Sequence, residues 1–520
     1  MADAPPAPVA AGARLPSRAD LAVLAVVVAL GLVHLAFPFT GDQALFTVGA
    51  RQIRHGAVLY RDFWDVKQPG VYLFYLAGGS LFAFREVGIH LLELLSLLGF
   101  AVVLQMTLRG RFRAPLVASV VPLLVIGAYY AGARALDLTQ VEVLASFPMY
   151  LALWWVSRAA ADDGASRWRL LFLSGVMGGV ATLFKLTYLP VALAMWLVVL
   201  RVAARARGGH DRSGFLRDLA AVGLGVLVPV GVAVVYFAAY GLLGEVSWTY
   251  FVYTPHTTGI AGRPLSRLVH GVVREGALLA VPLALALVGA TAVLKRRTDP
   301  FVAGLGAWIV VGIPVFLVQH WWSYQLLAFL PPVGVLAGLG LDEIWARRQR
   351  LGARVAAAIV VAALVAALPL AAIFGRKVVT LARDDFALTA AGRTRLHDHY
   401  EPHYRSARAW RALLDEPGAP GGDVYVLGDP VALYVSGRDQ AIATNGWGAE
   451  QYDAKVWHRV ARQLGAARPV ELLVDGFSDR KMRAHSPATR REIRRLYCRV
   501  GGSHDEVWYR LRSDLACEGR

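Results

Sequence analysis

Long apolar blocks recur through residues 19–375 of this 520-residue chain. Several are near or above the roughly 20 residues that a helix needs to cross a bilayer. They fall near 20–37, 88–108, 114–132, 140–157, 168–184, 187–203, 218–240, 272–294, 301–319, 324–341 and 354–374. An open sheet is excluded in lipid, and a barrel would alternate polar and apolar residues along each strand. These blocks do not alternate. The expectation is a polytopic α-helical membrane protein with about eleven transmembrane helices.

The chain is 56% hydrophobic yet carries a formal charge of +17. The distribution of that charge decides its meaning. Arginines and lysines collect in alternate loops: Arg109, Arg111 and Arg113; Arg158, Arg167 and Arg169; Arg201 to Arg217; Lys295 to Arg297; Arg347 to Arg354. The other set of short loops is nearly free of cations. This is the positive-inside pattern, so the excess charge sets topology and meets anionic lipid heads, and a nucleic-acid partner is not expected. The basic loops and the N-terminus are placed in the cytoplasm of a cell (inner or plasma) membrane. Residues 41–70 and everything after the last span are then extracytoplasmic.

Residues 1–18 read as disordered, 19–375 as the membrane domain, and 376–520 as a small extracytoplasmic α/β domain. In the last, strand-like runs at 423–427, 470–474 and 506–511 alternate with amphipathic helices at 457–464 and 489–497. The two cysteines, Cys498 and Cys517, both fall in this tail, where a disulfide is permitted by compartment but not required.

The first external loop, 38–86, concentrates polar groups beside the hydrocarbon, where an unused charge is costly. Asp42 follows the first span, and Asp62, Asp65 and Lys67 form a tight group before Pro69. An acid to take a proton and a cation to hold a phosphate would suit chemistry at the membrane surface. Residues 43–54 have helical spacing with Leu45, Phe46, Val48 and Ile53 available to lie on the membrane interface. A second short helix is expected after Pro69. Asp42 then stands near a helix N-terminus, where capping is its alternative role.

Asp42-Gln43, the stretch 56–62 (GAVLYRD) and Asp65-Val66-Lys67-Gln68-Pro69 together resemble the first external loop of bacterial membrane glycosyltransferases of family 39 type. These belong to the GT-C fold class, which includes protein O-mannosyltransferases and lipid A aminoarabinose transferases. The resemblance continues loosely at 319–332 (QHWWSYQLLAFLPP) and 422–437 (GDVYVLGDPVALYVSG). Gln43 replaces an acid found in several relatives, and Gln68 replaces a proline. The resemblance implies transfer of a sugar from a polyprenyl-phosphate carrier to a glycan, lipid or protein acceptor by an inverting single displacement. It makes Asp42 and Asp65 the candidate catalytic carboxylates, with Asp42 as base, and Lys67 the phosphate clamp.

Further candidates for substrate binding are Arg134, Asp137 and Glu142, Lys185, His256 and Arg263, and His320. A local Arg134–Asp137 ion pair and snorkelling of Lys185 are their plainer roles. His256, His320 and Asp65 are of the right type for a divalent metal, although no ligand-type spacing supports one. His90 and Glu93, on one face of the second span, read as a buried helix-to-helix contact. Rival readings are a transporter or flippase of lipid-linked sugars and a non-catalytic scaffold in envelope polysaccharide assembly. The charges cluster at one external face and no inverted repeat is visible, which disfavours the transporter.

Overall fold

Where water is absent, a backbone must satisfy its own N–H and C=O groups, and the apolar blocks of this chain do so as helices. The computed structural model describes residues 16–162, 164–207, 212–295, 299–349, 352–503 and 505–512. Each of the eleven expected spans falls on helix. Length and composition nevertheless qualify only seven of the described helices to cross a membrane, or eight if one bent pair is a single span. The helix α1 (Arg18–Leu32) and the helix Ser146–Ala160 have 15 residues each. The 19-residue helix Ser166–Phe184 carries Arg167 and Arg169 at its start. The expected 272–294 span is broken: Leu265–Leu278 and Ala280–Thr291 meet at 84°. Pro282 has no N–H for the carbonyl of Leu278, so a helix continued through this point would lack that hydrogen bond.

Two short helices shape the first loop, α2 (Gly41–Arg54) and α3 (Pro69–Phe82), before α4 (Glu86–Leu108) enters the bundle. Pro69 is at the start of α3, where its missing N–H costs nothing. The expectation that α2 lays an apolar face on the membrane interface is not met. Leu45, Phe46 and Val48 are buried within the protein, with Phe46 edge-on to Tyr72 and Tyr75. The cover comes from α3 and from the C-terminal domain, to which Arg51 and Gln52 donate at the carbonyls of Arg438 and Gln440. His90 meets the Leu35 carbonyl at 3.3 Å, and Glu93 accepts from the Tyr129 hydroxyl and the Thr139 N–H. Both are the packing contacts that their spacing suggested.

The last long helix runs to Arg383, and the domain beyond it holds a four-stranded sheet of order β1-β2-β4-β3. Its strands are β1 (Val424–Leu427), β2 (Glu471–Asp475), β3 (Tyr497–Ser503) and β4 (Glu506–Leu511). β1 and β2 are parallel, joined through the helix Ala454–Ala467, and β4 runs antiparallel to both β2 and β3. Three strands lie where the sequence placed them. β3 is additional: the expected helix ends at Leu496 and an exposed, glycine-containing strand follows. Cys517 lies outside the described residues, and with it the disulfide question.

Candidate active site

At the N-terminus of α2 the backbone N–H of Thr40 is taken by the Gln43 side chain, at 2.9 Å. The Gln43 amide then donates to the carbonyls of Ala135 and Leu138, at 2.8 and 2.5 Å. The residue that replaces an acid of the family pattern is thus a bolt between two loops. It also takes over the capping role, which frees Asp42. The Asp42 carboxylate accepts from Lys67 Nζ at 3.0 Å on Oδ2 and from the indole N–H of Trp447 at 2.9 Å on Oδ1. The side chains of Lys67 and Asp42 keep 24% and 15% of their exposure, enough for a ligand to reach either. Gly41 lets the indole approach, since a Cβ there would stand 2.5 Å from the Trp447 ring.

Lys67 is held from several sides. Its carbonyl accepts from the Tyr60 hydroxyl at 2.7 Å, and Tyr60 also bonds Tyr250 across the site. Tyr60 has φ of 71°, a left-handed turn that brings the chain back towards α2. Burial works against the Lys67 ammonium, but Asp42, with Tyr324, Asp65 and Glu142 behind it, more than offsets this and holds it charged. Asp65 is buried and accepts from the Tyr72 hydroxyl at 2.7 Å and, at 3.5 Å, from the Asn445 amide. Burial raises its carboxyl above the ordinary range, and Lys67 opposes the rise. Asp62, grouped with these residues in sequence, turns away to pair with Arg61 at 2.8 Å.

The other candidates separate into groups. Arg134 and Asp137 form a two-point ion pair at 2.9 and 2.8 Å, with Ser323 as a further acceptor for Arg134. These bonds hold the loop, and the Arg134 side chain stays partly exposed. Lys185 Nζ sits 2.6 Å from Glu142 Oε1. Arg263 and a neighbour, Arg267, donate to the carbonyls of Leu317 and His320. His320 is pushed down to about 4 by burial and then by the charges of Lys67, Arg267, Lys185 and Arg263, so it is neutral at pH 7 and faces the same cations. His256 is exposed on the helix Thr254–Ala261. Among the described residues it makes no hydrogen bond or ion pair with the Asp42–Lys67 group.

His256, His320 and Asp65 are not brought together as metal ligands. The described residues group donors of that kind once, at Glu401, His403 and Asp429 in the C-terminal domain. There His403 Nδ1 is 2.6 Å from Glu401, whose hydrogen bond pushes the imidazole up to about 9. A metal ion bound there would have to displace that proton.

Sequence reasoning missed Trp447 and Asn445. They belong to a segment that pairs with the first loop: Trp64 N–H donates to the Ala443 carbonyl at 2.7 Å, and the Asn445 amide to the Trp64 carbonyl at 2.7 Å. One turn of the C-terminal domain therefore reaches both candidate carboxylates. No local pattern announces residues that act 405 and 380 positions away.

No protein-family model and no curated protein matches the chain by sequence. Among solved structures it is similar to ArnT from Cupriavidus metallidurans bound to undecaprenyl phosphate. The TM-score is 0.62 and the identity 17%, over 94% of this chain and 97% of that one. The same protein in the apo state gives 0.60 and 16% over the same shares. An oligosaccharyltransferase from Archaeoglobus fulgidus tethered with an acceptor peptide gives 0.50 and 12%, over 92% of this chain and 72% of that one. At such identities the likeness is one of fold, and it agrees with the architecture expected from the first loop: this chain has the GT-C fold.

Proposed function

We propose that the chain is a membrane glycosyltransferase that moves a sugar from a polyprenyl-phosphate carrier to an acceptor on the extracytoplasmic face. The observation that carries this reading is the Asp42–Lys67 pair, 3.0 Å apart and partly exposed. The acceptor hydroxyl must lose a proton as it attacks the anomeric carbon, and Asp42 is a carboxylate placed to take it. The leaving phosphate gains negative charge, and Lys67 is a fixed ammonium to meet it. When phosphate binds, it competes for Lys67 and releases Asp42 Oδ2 for the acceptor. No second acid is needed, since phosphate leaves unprotonated. One displacement of this kind inverts the anomeric centre.

Asp65 is the positioning carboxylate in this scheme: it is buried, hydrogen-bonded, and close enough to act on Lys67. Lys67, Lys185 and Arg263 all act electrostatically on His320, and in this scheme that group of cations would meet the carrier phosphate. The ArnT structure of the same fold was solved with undecaprenyl phosphate bound, which supports a lipid phosphate as the carrier here. The charge pattern of the loops supports an extracytoplasmic site. The acceptor is a glycan, lipid or protein.

The test is mass spectrometry of lipid-linked sugars. Cells lacking the protein should accumulate one such species. Its level should return to normal with the wild-type chain and stay high with Lys67→Ala, because that change weakens both carrier binding and the chemical step. No accumulation in the deletion strain would remove the proposal.

A further inference from the structure

The C-terminal domain gathers carboxylates at one place without giving them a lysine or an arginine. β1 and β2 run parallel, and Asp429 and Asp475 stand at their carboxyl ends, where open α/β sheets hold their ligands. Gly428 lets the two ends close up, since a Cβ there would stand 2.5 Å from Asp475 Oδ2. Glu401 and His403 reach the same point from the turn between the helices Ala390–Tyr400 and His403–Leu414. Glu506 is near enough for its charge to act on His403, and Asp475 for its charge to act on Asp429. The chain carries 54 lysines and arginines against 37 acids. Among the described residues, none of those cations forms an ion pair with Glu401, Asp429, Asp475 or Glu506; the one partner is His403. Asp429 Oδ1 accepts from the Val431 N–H at 2.8 Å, but Oδ2 meets only His403, at 3.7 Å and beyond a hydrogen bond. That side chain keeps just 12% of its exposure, so little water compensates it.

We propose that Glu401, His403 and Asp429 bind one divalent ion of the zinc class, which fastens the start of the C-terminal domain to the end of β1. Their donor atoms all lie within 4.8 Å of one another, with His403 Nδ1 2.6 Å from Glu401 Oε1 and 3.7 Å from Asp429 Oδ2. Zinc holds such ligands at about 2.0–2.2 Å, which in tetrahedral geometry spaces them about 3.3–3.6 Å apart. A small rotation of the half-exposed His403 brings the set to that spacing. The proton that His403 carries leaves to solvent as the ion enters. One imidazole with two carboxylates suits zinc, whereas calcium takes six to eight oxygens and magnesium keeps several of its waters. The site stands apart from the Asp42–Lys67 pair and does not depend on what that pair does.

The experiment titrates zinc chloride into the purified, chelator-treated full-length chain in nanodiscs and follows the heat. One equivalent should bind, and excess magnesium or calcium should not displace it. His403→Gln and Asp429→Asn, each close to the native shape, should weaken binding by about tenfold or more, the least that even the loss of an outer partner costs. His485→Gln, at an exposed histidine on the helix Gly476–His485, should leave it unchanged. X-ray absorption at the zinc edge should show nitrogen and oxygen ligands at about 2.0–2.2 Å, with a single imidazole among them. The proposal is overturned if zinc does not saturate a site, if both variants keep the native affinity, or if the ion is held by two or more imidazoles. Should a variant fail to fold, the absorption spectrum of the wild-type chain decides.

Discussion

Replacing Asp42 with asparagine separates its two roles cleanly. The carbonyl oxygen of asparagine still accepts from the Trp447 N–H, now at 2.9 Å, but its amide nitrogen turns a donor towards the Lys67 ammonium, now at 3.0 Å from Oδ2. The pair is partly buried, with 15% and 24% of side-chain exposure. Its loss falls between the roughly 0–1 kcal/mol of a surface pair and the 3–5 kcal/mol of a buried one, so about 1–3 kcal/mol. A protein with about 5–15 kcal/mol of stability stays folded after such a change. Loss of a positioned base instead lowers the chemical step by about 10²–10⁴-fold, or about 3–5 kcal/mol of barrier. Turnover should therefore collapse while the folded population and carrier binding persist. The assay supplies the lipid-linked sugar fraction of deletion cells to the chain in nanodiscs and follows release of the lipid phosphate by mass spectrometry, with thermal unfolding alongside. Turnover by Asp42→Asn within tenfold of wild type would refute the assignment, since a positioned base cannot be lost at so small a cost.

Trp447→Phe keeps the ring and deletes the N–H that orients Asp42, so turnover should fall by about 3–30-fold with carrier affinity unchanged, the range expected for one hydrogen bond to a charged acceptor; equal turnover would make the indole a mere wall. Arg134→Ala leaves Asp137 with Arg274 at 3.7 Å as its nearest cation, and should destabilise the protein by about 2–4 kcal/mol in denaturant or thermal unfolding, a structural and not a catalytic signature. His403 is raised to about 9 by its bond to Glu401. The folded state thus holds that proton more tightly, and its contribution is full below about pH 6.5 and lost as pH rises through about 9. The effect is small because the imidazole is half exposed, but the melting temperature should decline over that window and His403→Gln should flatten the decline. Cysteine labelling should find residues 41–70 and the C-terminal domain outside, and the loop at 201–217 inside; a cytoplasmic C-terminal domain would put the two carboxylates on opposite faces from their expected carrier.

Sequence alone placed helices on the apolar blocks, because in lipid an apolar run has one backbone solution, but it overcounted those long and apolar enough to span. It located Asp42 and Lys67 because two opposite charges beside hydrocarbon are rare without a purpose. The Arg134–Asp137 pair was legible for a local reason, a spacing of three residues. The bend near Leu279 had its signal in Pro282, overlooked because the apolar run continues through it. The burial of α2 was not legible. Its pattern fits an interface helix equally well, and part of the surface that covers it arrives from residues near 440. β3 escaped because Gly501 and Gly502 break any alternation in a strand at the sheet edge. Trp447 and Asn445 carry no local mark, since their role exists only once two distant segments pair.

That pairing also orders events during synthesis. Asp42 and Lys67 leave the ribosome early, whereas Trp447 follows Asp42 by 405 residues. At about 5–20 residues per second, the interval is roughly 20–80 s. Throughout it α2 lacks the part of its cover that the C-terminal domain supplies, and both acids lack their late donors. A nascent chain stalled before residue 443 would thus display the acids and the lysine, yet lack the strand partner of Trp64. The completed C-terminal domain is in this sense the signal that assembly has finished.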